Sequence, residues 1–191
     1  MSVIPAPTAD QSVAWYEPST MDQALKLAEY LSKSQFCPDS FKGKPSDVLC
    51  AIMYGATGGM SPTQALQGVA VVRGKPSLFG DSLLAVCRAH PEFEDVKESF
   101  DEATMAATCE VKRKGQSWHS ATFTQADASK AQLWGNKGPW SQYPKRMLQM
   151  RARGFALRDT FADALAGLIS FEEAQDDPPE KPADVVVHEV Q

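Results

Sequence analysis

Aromatic and basic side chains are concentrated between Trp134 and Arg158. Aromatic rings offer faces on which bases stack and basic groups offer partners for phosphate, a combination used by single-strand binding proteins. Arginine suits phosphate because its planar guanidinium donates two parallel hydrogen bonds. The segment therefore predicts a surface for single-stranded nucleic acid, although a place in the core is the alternative to base stacking for Trp140 and Tyr143. Its members are Trp134, Lys137, Trp140, Tyr143, Lys145, Arg146, Arg151, Arg153 and Arg158.

The four arginines of this segment cannot all face one flat surface. At about 100° per helical residue, Arg146 and Arg153 share one stripe, and Arg151 and Arg158 share another about 140° away. We expect one pair to border DNA and the other to meet carboxylates of its own or a neighbouring protomer. The pattern leaves open which pair does which, and a solvated charged helix is the alternative for all four.

Two predicted turns carry further cations. Arg73-Gly74-Lys75 forms the tip of a predicted β-hairpin, and Lys112-Arg113-Lys114-Gly115 joins two predicted strands. Cations at the end of a sheet could straddle the backbone of a nucleic acid strand, although each turn taken singly is also an ordinary polar turn. We therefore include both turns in the candidate DNA-binding set.

The acidic net charge does not exclude nucleic acid as a partner. The chain carries 19 basic and 24 acidic residues, a net charge of -5. Seven of those acidic residues and only Lys181 among the basic ones lie in residues 172–191, which leaves 18 basic and 17 acidic residues elsewhere. Within residues 112–158, ten basic residues face only Asp127, so a basic body with an acidic tail is expected. The tail could compete with phosphate for the basic groove, so removing residues 172–191 should raise DNA affinity.

The motifs of common enzyme classes are missing from the sequence. There is no G-x-x-x-x-G-K-[ST] phosphate loop, no G-x-S-x-G elbow and no H-E-x-x-H zinc motif. The four cysteines are far apart and lie near no histidine pair, so we expect reduced and mostly buried thiols: Cys37, Cys50, Cys87 and Cys109. We accordingly predict a protein that is not an enzyme and has no catalytic residues, no dedicated metal site and no cofactor.

The elements that must position these residues suggest one α+β domain. Capped amphipathic helices are predicted in the first half, followed by the β-hairpin and a further helix to His90. Period-two patterns then predict a three-stranded antiparallel meander over 93–123. A helix after Thr124 and a long helix over about 142–169 complete the fold. We expect a flexible arm over 1–18, a core over 19–171 and a disordered acidic tail over 172–191.

Four ordered segments resemble the RecT proteins, the phage recombinases related to Red beta. The last segment is one block, 138–163, whose beginning and end resemble the P-W-x-x-Y-P-x-x-M-L and F-P-D signatures of that family, with Ala162 in the place of the proline. Three earlier segments are similar in the same order: Phe41–Pro45, Gly58–Ala65 and Val71–Pro76. The likeness spans about residues 20–171.

The resemblance implies a single-strand annealing protein. Such a protein would bind single-stranded DNA and the annealed duplex intermediate without ATP, with non-specific effects of magnesium ions, as a homo-oligomeric ring or helical filament. It would work beside a phage exonuclease or a host single-strand-binding protein in the bacterial cytoplasm. No apolar run is long enough to span a bilayer, so no membrane partner is expected. The alternative is a non-catalytic oligomeric adaptor whose arginine-rich helix packs on acidic partners.

Overall fold

The structure is a computed structural model that describes residues 18–165 and 167–176. Within these ranges the chain is an α+β fold with nine helices and five strands. The elements in chain order are α1 (Met21–Lys33), α2 (Pro45–Thr57), α3 (Pro62–Gly68), β1 (Val69–Val72), β2 (Lys75–Leu78), α4 (Gly80–Ala89), β3 (Phe93–Asp101), β4 (Ala106–Arg113), β5 (His119–Thr124), α5 (Gln125–Lys130), α6 (Pro139–Gln142), α7 (Pro144–Thr160), α8 (Ala162–Leu165) and α9 (Phe171–Asp176).

Side-chain caps fix the beginnings of several helices where the sequence predicts them. The hydroxyl of Thr20 accepts a hydrogen bond from the backbone N–H of Gln23 at the start of α1. Ser61 and Gln64 form a reciprocal capping box at α3, and Thr124 and Asp127 form another at α5. Each cap satisfies helix N–H groups that have no partner within the helix.

Strands β3, β4 and β5 form the predicted antiparallel meander. Val111 in the central strand pairs with Val96 on one side and His119 on the other. Helix α7 packs across β4 and β5, and the alternate side chains Ala107, Cys109 and Val111 are buried. This helix-on-sheet layer holds the core, because α7 presents fully buried side chains to it, including Leu148 and Leu157.

The β1–β2 hairpin is fastened to the last part of the described chain. The backbone N–H of Leu78 donates to the carbonyl of Ile169 at 2.9 Å. The rings of Phe79 and Phe171 lie 4.8 Å apart, and α9 packs on both strands of the hairpin. At the hairpin tip Arg73 adopts a positive φ of 50°, which a two-residue turn of this kind requires.

The long C-terminal helix is shorter than predicted. It was expected over about 142–169, but α7 ends at Thr160 and a separate short helix follows. Phe161, which leaves the helical conformation, is fully buried, and the guanidinium of Arg113 donates to the carbonyl of Thr160 at 3.2 Å. The helix ends there because a sequence-distant cation satisfies its free carbonyl, which periodicity alone cannot reveal.

The predicted boundary of the acidic tail is also wrong. Residues 172–176 belong to α9, and Glu173 and Ala174 are only 7% and 4% exposed. The hydroxyl of Ser170 donates to the Glu173 carboxylate, so this acidic residue has a partner in the core. The flexible arm expected over 1–18 and the remainder of the tail lie outside the described residues, apart from Pro18. None of the helices in the described ranges is long and apolar enough to cross a membrane.

Candidate nucleic-acid interface

Arg153 lies inside the protein and is surrounded by carboxylates. It is 4% exposed, and its Nε and Nη2 donate to the two oxygens of Glu98 at 2.6 and 2.7 Å. Its Nη1 donates to Asp81 at 2.7 Å. Burial alone would lower the pKa of Arg153, but its hydrogen bonds and ion pairs with Glu98 and Asp81 raise it. The prediction that Arg153 contacts DNA is therefore corrected. Its buried guanidinium makes three hydrogen bonds to carboxylates, joins α7 to β3 and α4, and has no face for phosphate.

Arg146 shares the stripe of Arg153 and extends the same cluster to the surface. Its Nη2 donates to Asp81 and its Nη1 to Gln149, both at 3.0 Å. The side chains of Arg146 and Asp81 are 46% and 76% exposed. A pair this exposed contributes little to stability, so Arg146 remains available for exchange with another anion.

The second arginine stripe meets Glu173 of α9. An oxygen of Glu173 lies 2.7 Å from Nη2 of Arg158 and 3.7 Å from Nη1 of Arg151. Glu173 and Arg151 are largely buried, whereas a third of the Arg158 side chain is exposed and its guanidinium lies 5.4 Å from the ring of Phe155. The two stripes diverge as helical geometry predicts. Both stripes face carboxylates of this chain, and the expectation that one pair borders DNA stays a prediction, for which Arg146 is the more exposed arginine of its stripe.

The strand turn is likewise held by groups of the same protein. Lys112 pairs with Glu94 at 2.6 Å, and Nζ of Lys114 donates to the carbonyl of Pro91 at 2.7 Å. Arg113 makes two hydrogen bonds to Asp163, at 2.8 and 2.7 Å, and a further ion pair with Glu92. The Arg113 guanidinium holds the pKa of the Asp163 carboxyl well below its usual range. These cations fasten the sheet to the segment after α7.

Lys145 resembles Arg146 in being paired yet exposed. Its Nζ lies 2.5 Å from Glu102 in the β3–β4 turn and 4.6 Å from the centre of the Phe100 ring. The side chains of Lys145 and Glu102 are 58% and 78% exposed.

The structure distinguishes the two aromatic residues whose role the sequence leaves open. Trp140 is 5% exposed and belongs to the hydrophobic core. Tyr143 is 65% exposed. Stacking of a base on Trp140 is therefore excluded in this conformation, and the core interpretation holds, because the ring anchors α6 against the start of α7.

One cleft differs from all of these clusters. It has a volume of about 350 Å³ and lies where the hairpin tip meets the loop before α6. Two exposed cations from segments more than 60 residues apart in the sequence, Arg73 and Lys137, share its wall. The lining residues that the structure describes include no carboxylate: Val72, Arg73, Asn136, Lys137, Pro139, Trp140, Met147 and Gln175. Lys75, also exposed, lies at the start of β2 beside the tip.

Sequence reasoning missed the carboxylates that hold the arginines. Glu98 occupies the same parity of β3 as Val96 and Phe100, the positions that pack against the core. An acidic residue at an inward position needs a cation as partner, so the alternation of residues along β3 could have indicated an internal ion pair at Glu98. It also missed Trp118, whose ring centre lies 4.2 Å from Nζ of Lys97. No pattern in the sequence indicates that pair.

No protein-family model and no curated protein matches this sequence. Among residues 18–165 and 167–176, no group of three or more histidine, cysteine, aspartate or glutamate side chains could hold a metal ion.

Proposed function

We propose that the protein binds single-stranded DNA and anneals complementary strands without hydrolysing a nucleotide. The observation that carries this proposal is one cleft whose wall holds two exposed cations that are far apart in the sequence, Arg73 of the hairpin tip and Lys137 of the loop before α6. Cations that line one space can act together on a nucleic acid strand, since affinity for a polynucleotide rises with the number of phosphates that a protein's cations neutralise.

The chemistry of the cleft favours the backbone of a strand over its bases. Arg73 can engage phosphate oxygens with its fork of donors, Lys137 adds a point charge, and the Asn136 amide adds a neutral donor. Because Trp140 is buried, this cleft offers no exposed indole for stacking. A strand held by its backbone keeps its base edges free, which is the condition that annealing to a complement requires.

The RecT-like segments support the same proposal. The segment Val71–Pro76 forms the hairpin tip, and Gly138–Leu148 forms α6 and the first turns of α7. Both contribute side chains to the cleft. Side-by-side protomers, as the resemblance implies, would extend one short cleft into a continuous path along a strand.

Pairing of two labelled complementary oligonucleotides tests the proposal directly. Adding the protein, without ATP, should accelerate the appearance of duplex well above the spontaneous rate at low salt. An unchanged rate, together with no change in the anisotropy of a labelled oligothymidine, would contradict both annealing and binding.

A pair of matched variants locates the binding surface. Arg73→Ala combined with Lys137→Ala should weaken oligothymidine binding about tenfold and lower the slope of log K against log salt by about 1.4, since each lost single-strand phosphate contact accounts for about 0.7. Lys26→Ala combined with Lys33→Ala removes the same charge from the exposed face of α1 and should change the slope little. Equal losses in both variants would show a diffuse charge effect and overturn the cleft as the site.

The adaptor alternative receives less support from the geometry. It requires the arginines of α7 to face an acidic partner, but Arg153 is buried against Glu98 and Arg158 is paired with Glu173. Self-association by light scattering without any binding to single strands at low salt would favour the adaptor.

A further inference from the structure

Trp118 differs from the other described tryptophans in its surroundings. Trp140 belongs to the hydrophobic core and Trp134 packs against it. Among the described side chains, Trp118 has no place in that cluster, and its indole is only partly buried. A large aromatic ring outside the core keeps a face for another group, so its neighbours indicate what it binds.

Strand alternation places Trp118 on the open face of the sheet, which is the face turned away from α7. Val111 of β4 points into the core, so the next residue, Lys112, points to the open face. On β3, Val96 packs against the core, which places Lys97 on the open face as well. The ring centre of Trp118, directly before β5, lies 4.2 Å from Nζ of Lys97 and 5.9 Å from Nζ of Lys112.

The two lysines beside the ring differ in their pairing. Lys112 is paired with Glu94 at 2.6 Å, and its side chain is 30% exposed. Lys97 is exposed, and its ammonium contacts the ring. Within the described part of the chain it forms no ion pair, although Glu110 lies opposite in the register. Because an exposed contact between an ammonium and an aromatic ring is weak, Lys97 can leave the ring when a better partner arrives.

A nucleotide suits the ring and the ammonium at the same time. A base stacks on an aromatic face whatever its identity, and this stacking contributes more than an exposed ammonium over the same ring. A base that displaces Lys97 brings its phosphate near the displaced ammonium, and the two can then form an ion pair. Stacking engages the face of a base and leaves its edge open to a complement, as annealing requires.

We propose that Trp118 is a base-stacking site for single-stranded DNA, in which one base lies on the indole and Lys97 pairs with the adjacent phosphate. The inference rests on the proposed function, because it names a residue that contacts bases while the cleft at the hairpin tip contacts the backbone. Asp95 and Glu110 share the open face with the two lysines, so beyond the ring the face has no excess of positive charge. The site therefore holds a single nucleotide and not a length of strand.

Two probes of equal charge test the stacking. An oligothymidine and an abasic oligomer of the same length carry the same phosphates, but only the first has bases. Trp118→Leu should weaken oligothymidine binding about fivefold or more, the loss expected for one base–ring stack, and should leave binding of the abasic oligomer unchanged. Equal losses with the two probes, or no loss with either, would overturn the stacking site.

Two further variants separate the ring from other effects of substitution. Trp118→Phe keeps an aromatic face and should recover most of the affinity for oligothymidine that Trp118→Leu loses. Tyr30→Ala removes a ring that is 76% exposed on α1 and should change neither affinity. Each affinity is referred to the fraction of folded protein, measured by urea unfolding. No recovery with Trp118→Phe, or an equal loss with Tyr30→Ala, would contradict the assignment.

Tryptophan fluorescence separates this inference from the proposed function. Stacking of a thymine on the indole quenches its emission, so saturating oligothymidine should quench the parent more than it quenches Trp118→Phe. If the parent binds and anneals oligonucleotides and Trp118→Leu does so equally well, the stacking site falls and the proposed function stands. If the parent binds neither probe, the proposed function falls and the stacking site falls with it.

Discussion

Two arginines of α7 and the cations of the cleft at the hairpin tip differ in how deeply they are buried and in the residues that surround them. In α7, Arg153 is 4% exposed between Glu98 and Asp81, and Arg158 is held by Glu173. In the cleft, Arg73 and Lys137 are exposed, and no carboxylate lines it among the described residues. In the segment with the most arginines, these side chains are therefore paired with carboxylates of the same protein.

The difference arises from what burial does to a charge. A guanidinium taken out of water loses a large solvation energy, so a buried arginine persists only where carboxylates and hydrogen bonds replace the water. At the surface, water already solvates the cation, and a nearby carboxylate gains little. Composition counts both kinds of arginine equally, whereas only an exposed arginine can reach a ligand.

Removing Arg153 should produce the largest effect on the fold. Arg153→Ala leaves Glu98, whose side chain is 21% exposed, without its bidentate partner, and removing one partner of a buried pair costs about 3–5 kcal/mol. Urea unfolding should show a lower midpoint, with DNA affinity per folded molecule little changed.

The matched control for this change is Arg146→Ala. It removes an arginine from the same stripe of α7, but one that is half exposed, so the loss should be about 0–1 kcal/mol. If Arg153→Ala weakened DNA binding while the unfolding midpoint stayed constant, Arg153 would be a DNA contact and not an internal ion-pair partner, which would contradict the comparison.

A smaller, acid-dependent effect is expected at Asp163. Its pKa is lowered by Arg113, so its contribution to stability is complete above the ordinary carboxyl pKa of about 3.9 and is lost as the pH falls through the lower folded value. The melting temperature of Asp163→Asn should therefore lie below that of the parent by a constant amount above about pH 5, and the gap should narrow below about pH 4. A gap that is unchanged at pH 3 would show that the ion pair with Arg113 does not stabilise the fold.

The smallest expected effect is a change in the salt dependence of DNA binding when one of two exposed lysines is removed. Lys137→Ala in the cleft should lower the salt slope of oligothymidine binding by about 0.7. Lys145→Ala removes the same charge, but from a lysine that is paired with Glu102. Because a phosphate would have to displace that carboxylate, this change should lower the salt slope by less than half as much. Anisotropy titrations at four salt concentrations measure both slopes. A larger effect at Lys145 would move the interface from the cleft to the first turn of α7.

Much of the secondary structure follows from local signals in the sequence. Three kinds of signal act within a few residues and can be recognised from the sequence alone. They are the capping box of Ser61 and Gln64, the turn at Gly74 and the period-two pattern of the strands. The end of α7 at Thr160 is different, because Arg113, 47 residues away, donates to its terminal carbonyl. The burial of Glu173 is missed for the same reason, since its partners are arginines of another helix.

The candidate site was only partly predictable. Arg73 and Lys137 were both in the sequence-based set, but nothing in their spacing indicates that they share a cleft. Arg153 could have been recognised as internal, since it follows Met150 by three residues and precedes Leu157 by four, which places it on the buried stripe of α7. An arginine on an apolar stripe of a helix needs a carboxylate as its partner inside the protein. Glu98, on the inward face of a strand, is such a carboxylate.

By itself the sequence determined the α+β class, the starts of the capped helices, the hairpin and the meander, because these depend on caps, turns and periodicity over short distances. Only the tertiary structure decided which cations are neutralised. Coulomb interactions act between atoms that are close in space, and the carboxylates that meet the α7 arginines come from α4, β3 and α9. The same packing places Arg73 and Lys137 in the wall of one cleft.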